Sequence, residues 1–279
     1  MQALCIGAVF CRKEGIRLRR MESAESRGLA SLFPPSPEVL IRAALEGTMG
    51  GGYRPDGTEP PRCAQLILGD FCLFGGGAQE DGAEELARHL PRHLLCIPGE
   101  PAWLPLLERV HPGRCSRLTR YAFHAPAAFD RTALCRLASG LPDGCRLQPI
   151  GEGWYRWALA SGWARDLVSQ FPSYAAYRRL GLGLLVLEGE EPVCGASSYA
   201  ACPDGIEIQI DTRADRRRRG LAAACGAALI LACLKRGIQP GWDAANPASA
   251  ALAEKLGYRP AGAYTALEIA PAAQPPSLL

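Results

Sequence analysis

The sequence predicts an α/β protein in which a mixed sheet with flanking helices fills the C-terminal half and a smaller α/β domain precedes it. Three observations carry that prediction. Short apolar runs alternate with stretches of helical spacing, and Gly- and Pro-rich turns separate them. From Ile206 to Thr212 the chain reads I-E-I-Q-I-D-T, a strict period of two that puts Ile206, Ile208 and Ile210 on one face of a strand and Glu207, Gln209 and Asp211 on the other. Shortly after it, Gly220 to Arg236 has the apolar continuity and the closing Gly237 of a buried helix.

The elements follow in order. Pro34, Pro35 and Pro37, then Gly50 to Gly52, Pro60 and Pro61, and Gly75 to Gly77 punctuate the first third. Between them, Ala64 to Phe74 reads as one or two strands broken at Gly69. Glu84 to Leu95 has helical spacing that Pro91 interrupts, and Leu94 to Pro98 reads as a strand. The turn formers Leu141-Pro142-Asp143-Gly144, with Gly151 and Gly153 behind them, mark a boundary between domains at 21–146 and 147–270. Residues 1–20 read as an N-terminal extension, with Met21 as a second candidate start, and 271–279 as a disordered tail.

In the second half, Trp154 to Leu180 is mostly helical in spacing, and Leu182 to Ala200 reads as two strands joined at Gly189 to Pro192. The alternating strand and the apolar helix come next. Gly241 to Ala244 is a short strand, Ala248 to Leu256 a helix and Tyr264 to Ile269 a final strand.

Composition narrows the function. With 279 residues, 48% hydrophobic and 21% charged, the chain buries one large core or two ordinary ones and is not disordered. A net charge of +3 is far from that of a dedicated nucleic-acid binder, and a small, anionic ligand fits it better. Lysine occurs only at Lys13, Lys235 and Lys255, so cationic work falls to guanidinium groups. The longest nearly unbroken apolar run, Leu221 to Leu234, has 14 residues, short of the roughly 18 to 20 that a membrane span requires. The 12 cysteines contain no CxxC pair, and the charges near the start follow the apolar run instead of preceding it. The expectation is a cytoplasmic protein with free, buried cysteines and no nucleic-acid or membrane partner.

The segment richest in chemistry joins the alternating strand to the apolar helix: Asp211-Thr212-Arg213-Ala214-Asp215-Arg216-Arg217-Arg218-Arg219-Gly220-Leu221-Ala222. A helix start holds unpaired N–H groups and the positive end of the dipole, which suits phosphate oxygens. Gly220 permits close approach of a ligand, and neighbouring arginines add pairing charge. A solvated helix entrance or a localisation signal is the plainer account of the same four arginines.

Arg217-Arg218-Arg219-Gly220-Leu221-Ala222 is similar to the Q/R-x-x-G-x-G/A acetyl-CoA motif of the GCN5-related N-acetyltransferase superfamily. About 30 residues on, Trp242-Asp243-Ala244-Ala245-Asn246-Pro247-Ala248-Ser249 and Glu254-Lys255-Leu256-Gly257-Tyr258 resemble the strand, Asn and Lys-x-Gly-aromatic signature that follow it there. The resemblance covers roughly Leu147 to Ile269. The N-terminal half, with Leu45 to Tyr53 and Gly69 to Phe74, looks like that of a two-domain bacterial branch containing a zwittermicin-type resistance acetyltransferase.

The resemblance implies an N-acetyltransferase that moves an acetyl group from acetyl-CoA, as co-substrate, to a primary amine of a small molecule by direct transfer, without a metal. It implies that the strand splays at Ile210 to Thr212 to pair with the pantetheine arm. Backbone N–H groups of Arg217, Arg218, Arg219, Gly220, Leu221 and Ala222 would cradle the pyrophosphate, and Asn246 and Ser249 would line the arm or order the following loop. A carboxylate must take the proton of the attacking amine; Glu207 is the first candidate and Asp211 the reserve. Either is otherwise a strand-face charge paired with an arginine. Where many relatives carry a Tyr that protonates the departing thiolate, this chain has Ala253. Tyr258, Tyr264, Tyr199 or water must then supply the proton, or the protein is a non-catalytic acyl-CoA sensor.

Other signals carry less. His89 and His93, with Cys96 near by, have ligand spacing, but Pro91 lies between them. Gly181-Leu182-Gly183 lacks the third glycine and following helix of a dinucleotide fingerprint, and Ser197 and Ser198 lack a histidine partner in the second domain. Trp154, Trp157 and Trp163 read as core, and Asp70 as a turn residue.

Overall fold

In the computed structural model, which describes residues 16–21, 23–33, 39–57, 59–90 and 94–271, the chain forms two sheets with helices packed on them. The N-terminal half supplies β1 (Leu18–Arg20), α1 (Ser23–Ser26), α2 (Val39–Leu45), β2 (Gly51–Pro55), β3 (Cys63–Leu68), β4 (Phe71–Gly76), α3 (Ala83–Arg88), β5 (Leu94–Pro98), α4 (Trp103–Val110), β6 (Cys115–His124) and α5 (Arg131–Ala138). The C-terminal half supplies β7 (Cys145–Pro149), α6 (Glu152–Ala160), α7 (Tyr174–Leu180), β8 (Gly183–Glu188), β9 (Glu191–Cys202), β10 (Gly205–Thr212), α8 (Leu221–Arg236), β11 (Gln239–Gly241), β12 (Asp243–Ala244), α9 (Pro247–Lys255) and β13 (Arg259–Ile269).

The five-stranded sheet has the order β11-β10-β9-β8-β7, and the eight-stranded sheet the order β1-β2-β3-β4-β5-β13-β6-β12. The second sheet runs across the expected boundary at 146/147. β13 lies between β5 and β6, and β12 pairs with β6 through Asp243 opposite Ala122. The sheets meet where α2 packs Val39, Leu40 and Ala43 against Tyr199, Ala200 and Cys202 of β9.

Helix ends follow their residues. Asp130 and Ser173 accept N–H groups of Ala133 and Ala176 at the starts of α5 and α7, and left-handed Gly237 stops α8. On β10 the alternation holds. Ile206 and Ile208 are buried in the core shared with Leu221, Cys225 and Leu229 of α8, and Ile210 packs partly against it.

Several expectations change. Residues 18–20, assigned to an extension, form the edge strand β1, paired with β2. The helical spacing of Trp154 to Leu180 resolves into α6, a 3-10 turn at Arg165–Leu167 and α7, with Gly162 and Pro172 in the breaks. The strand expected at Gly241 to Ala244 is two short ones, β11 and β12, on either side of Trp242, and the final strand begins earlier, at Arg259. Gly69 and Asp70 do form the turn between β3 and β4. Trp154, Trp157 and Trp163 pack edge-on against one another beside the core. The described cysteines are all free. His93 and residues 272–279 lie outside the described residues. No described helix is long and apolar enough to cross a membrane.

Leu185 of β8 is wholly buried in the C-terminal core. Leu185→Ala removes three heavy atoms' worth of packing there and is expected to cost about 2–5 kcal/mol, read as a lower urea midpoint.

Candidate active site

One strand changes partners, and the site is built around that change. Gly205, Ile206 and Glu207 of β10 pair in parallel with Gln239, Pro240 and Gly241 of β11. At Trp242 the chain turns away, and Asp243 and Ala244 pair with β6 instead. Beyond Glu207, the β10 edge facing away from β9 therefore has no partner strand among the described residues. On its other edge β10 stays paired with β9, with a bulge: Glu207 lies opposite Ala200 and Ile208 opposite Ser198, so Tyr199 is the extra residue.

Glu207 sits at the parting of the strands. It is only 7% exposed, and its carboxylate lies over the α-carbon of Gly241, where an added Cβ would stand 2.5 Å from Oε2. Any larger residue at position 241 would displace the carboxylate. Glu207 also faces a cleft of about 660 Å³, part of it open to solvent, with Leu40, Phe71, Leu73, Ile97 and Phe123 on its walls. Asp243 and Tyr264 line the same cleft. Arg120, itself 9% exposed, donates from Nε to Asp243 Oδ1 at 2.6 Å, and the Tyr264 hydroxyl donates to Oδ2 at 2.7 Å. Trp242, between Gly241 and Asp243, also lines the cleft, and its ring packs on Tyr258 at 5.4 Å.

Further along the same face of β10, Gln209 donates an amide hydrogen to Asp211 Oδ2 at 2.9 Å. Burial pushes the Asp211 carboxyl above its usual range; the Gln209 bond and Arg217 pull it down, and Asp166 pushes it further up. Asp211 is half-buried and lies outside the residues lining the Glu207 cleft. Ile210 points to the α8 side, and the Thr212 hydroxyl donates to Cys194 Sγ at 3.2 Å.

The arginine run divides by charge. Arg216 and Arg219 both donate to Glu188 at the end of β8, at 2.7 and 2.8 Å. Arg219 and Arg216 together hold the Glu188 carboxyl down at about 2. Its charge, and with it the clamp, is present above the ordinary carboxyl range and lost only as pH falls toward that value. Arg213 pairs with Asp215 and Glu191. Arg217 and Arg218 are exposed and make no ion pair among the described residues; Arg217 Nε only reaches the Thr212 carbonyl at 3.4 Å. Arg218 and Gly220 both have positive φ, 65° and 82°. Gly220 faces open space, and Ala224 is the first residue of α8 whose N–H bonds back, to the Gly220 carbonyl at 3.0 Å. The N–H groups of Leu221, Ala222 and Ala223 are thus left to a ligand or water.

Asn246 and Ser249 are brought together by the start of α9, where Asn246 Oδ1 accepts the Ser249 N–H at 2.9 Å and Pro247 opens the helix. Ala253 is wholly buried. The tyrosines weighed as acids are engaged: the Tyr258 hydroxyl donates to the Pro240 carbonyl, Tyr264 donates to Asp243, and the Tyr199 hydroxyl accepts the Asp70 N–H at 2.9 Å. Burial and the Glu207 charge push Tyr258 up. Asp70 is exposed at its turn, outside the cleft. Among the described residues no cluster of three metal-ligating side chains occurs.

Sequence reading missed Gly241, Arg120 and Asp243. Gly241 closes a short run ahead of a tryptophan, and Arg120 comes from β6, more than 100 residues away in sequence from its partner; neither carries a local signal.

The description "GNAT acetyltransferase" matches residues 30–267. An uncharacterized N-acetyltransferase of Bacillus subtilis (strain 168), YdfB, is 30% identical over 236 residues, which are 82% of this chain and 81% of that one. The crystal structure of a GCN5-related N-acetyltransferase-like protein from Streptococcus suis 89/1591 superposes with a TM-score of 0.81 at 38% identity, over 89% of this chain and all of that one. A GCN5-related N-acetyltransferase from Sphaerobacter thermophilus shares the fold, with a TM-score of 0.54 at 15% identity over 92% of this chain and 96% of that one.

Gln209→Met keeps length but removes the amide that favours the charged form of Asp211. The Asp211 carboxyl is expected to titrate at higher pH in this variant than in the parent, as followed by carbon-detected NMR.

Proposed function

The chain belongs to the GNAT acetyltransferase family, and from that premise we propose that it carries an acetyl group from acetyl-CoA directly to a primary amine, with Glu207 as the base. As a family member it is an acyltransferase. The observation that carries the rest is the placement of a buried carboxylate at the point where β10 and β11 part, facing a cleft.

The donor fits the unpaired edge. Residues 208–212 offer backbone groups to the amides of a pantetheine arm, in the way a neighbouring strand would. The N–H groups of Leu221, Ala222 and Ala223, with Arg217 and Arg218, receive the pyrophosphate at the positive end of α8. From Glu207 to Thr212 the strand covers about 17 Å, a span that an extended arm bridges between its phosphate and thioester ends. Asn246 and Ser249 act by fixing the loop into α9 through their cap bond.

An ammonium has no lone pair, so the acceptor must first lose a proton, and Glu207 takes it directly or through water. The amine nitrogen then attacks the thioester carbonyl carbon, the C–N bond forms, the nitrogen gives up its second proton to water, and the C–S bond breaks as the tetrahedral intermediate collapses to the amide. The leaving group is a thiolate, stable enough near neutral pH to depart and take its proton from water. That is consistent with Ala253 and with three tyrosines whose hydroxyls are engaged elsewhere. Asp211 stands further along the donor strand and serves as the reserve base.

Two measurements test this. Glu207→Gln is expected to lower kcat by about 10²–10⁴-fold while calorimetry shows acetyl-CoA affinity unchanged; retained turnover would move the base to Asp211. The double variant Arg217→Ala, Gly220→Glu is expected to weaken acetyl-CoA binding by about tenfold or more, because it removes a cation and sets a carboxylate at the helix start. A folded parent that binds no acetyl-CoA at millimolar concentration would overturn the proposal.

A further inference from the structure

We propose that the acceptor is a monoamine with an apolar alkyl or aromatic body, and that polyamines and polyamino sugars are excluded; this rests on the acetyltransferase reading above and names the substrate class of the same site. The cleft in front of Glu207 has walls from four separate elements: Leu40 of α2, Phe71 and Leu73 of β4, Ile97 of β5 and Phe123 of β6. An apolar lining assembled from α2 and three strands, two of them from sequence far apart, is a receptacle for apolar substance rather than one strand's buried face.

The charges of the cleft point the same way. Its acidic lining residues are Glu207 and Asp243. Asp243 is already bound on both oxygens, by Arg120 and by the Tyr264 hydroxyl. The Arg120 guanidinium in turn lies over the Phe71 ring, 5.1 Å from its centroid. The amine that reacts meets Glu207. A second ammonium on the same molecule would meet hydrocarbon, the uncharged groups of Gln239 and Tyr264, His124, or an Asp243 carboxylate whose charge Arg120 already balances, and a buried cation without a counter-charge of its own is strongly disfavoured. An apolar body loses nothing by the same surroundings and gains with each carbon it buries.

The test uses the full chain with saturating acetyl-CoA and straight-chain amines from propylamine to heptylamine, with 2-phenylethylamine, spermidine and kanamycin beside them. Product mass and released thiol are both read. The expected result is a kcat/KM that climbs about fourfold per added CH₂ until the cleft is full, with 2-phenylethylamine above spermidine and kanamycin by about 100-fold or more. Heptylamine should likewise exceed 1,7-diaminoheptane, and Ile97→Asp, which adds a carboxylate to the wall, should narrow that gap by about tenfold. Should Ile97→Asp fail to fold, Ile97→Ala must flatten the chain-length slope. A flat slope in the parent, or a preference for spermidine or kanamycin, overturns the proposal. Calorimetric titration of the amines into the protein saturated with CoA separates the two levels of inference. Acetyl-CoA binding without binding or acetylation of any apolar amine defeats the acceptor class and leaves the donor site standing, whereas no acetyl-CoA binding defeats both.

Discussion

Backbone hydrogen bonding forces a choice on the segment Gln239–Ala244, which gives its first half to β10 and its second to β6. Buried N–H and C=O groups cannot be left unpaired cheaply, so a strand that abandons one neighbour must find another within a residue or two. Trp242 is the residue at which the exchange happens, and its ring, packed on Tyr258, pins the pivot. Everything in the site follows from this. The edge of β10 is open because β11 has left it, Glu207 stands at the apex because it is the last residue paired there, and the cleft lies in front because β12 has joined the other sheet.

The arginine run shows how little a count of charges says about a binding site. Four consecutive guanidiniums suggest a strongly cationic patch, yet Glu188 occupies two of them from the end of a strand 28 residues earlier than Arg216. What remains for a ligand is Arg217 and Arg218, beside the N–H groups of Leu221, Ala222 and Ala223 at the start of α8. Polar backbone groups at a helix start carry no net charge and hold their geometry at any salt concentration; the two free side chains add reach, while the clamped pair adds rigidity.

Much of this was legible in the sequence where the signal was local. The period of two in I-E-I-Q-I-D-T fixed which side chains share the face of Glu207, and the strand followed by Gly220 and an apolar run located the helix start. The helix expected over Ala248 to Leu256 runs from Pro247 to Lys255, with Asn246 as its cap. The parts that escaped depend on distant pairing. β6 has alternating and charged residues much like a surface strand, and only its neighbours β12 and β13 explain why it holds ten residues in register. Arg120 looks like any other arginine until Asp243 arrives beside it from the other half of the chain. The expected single strand at Gly241 to Ala244 failed for the same reason: its composition does not record that two sheets divide it.

The insertion of β13 between β5 and β6 has a consequence for how the molecule comes into being. During synthesis β5 and β6 leave the ribosome long before Arg259–Ile269 does, so the place between them stays vacant while most of the chain is already available to fold. For that interval β5 has one unpaired edge and β6, whose partners β12 and β13 both come later, has two, and an edge of that kind invites a second nascent chain. β6 meets the danger with arginine at Arg117 and Arg120, charges that discourage a stray apolar strand. The sheet closes only when Arg259–Ile269 arrives, so the eleven residues of β13 act as the latch that joins the N-terminal strands to β6.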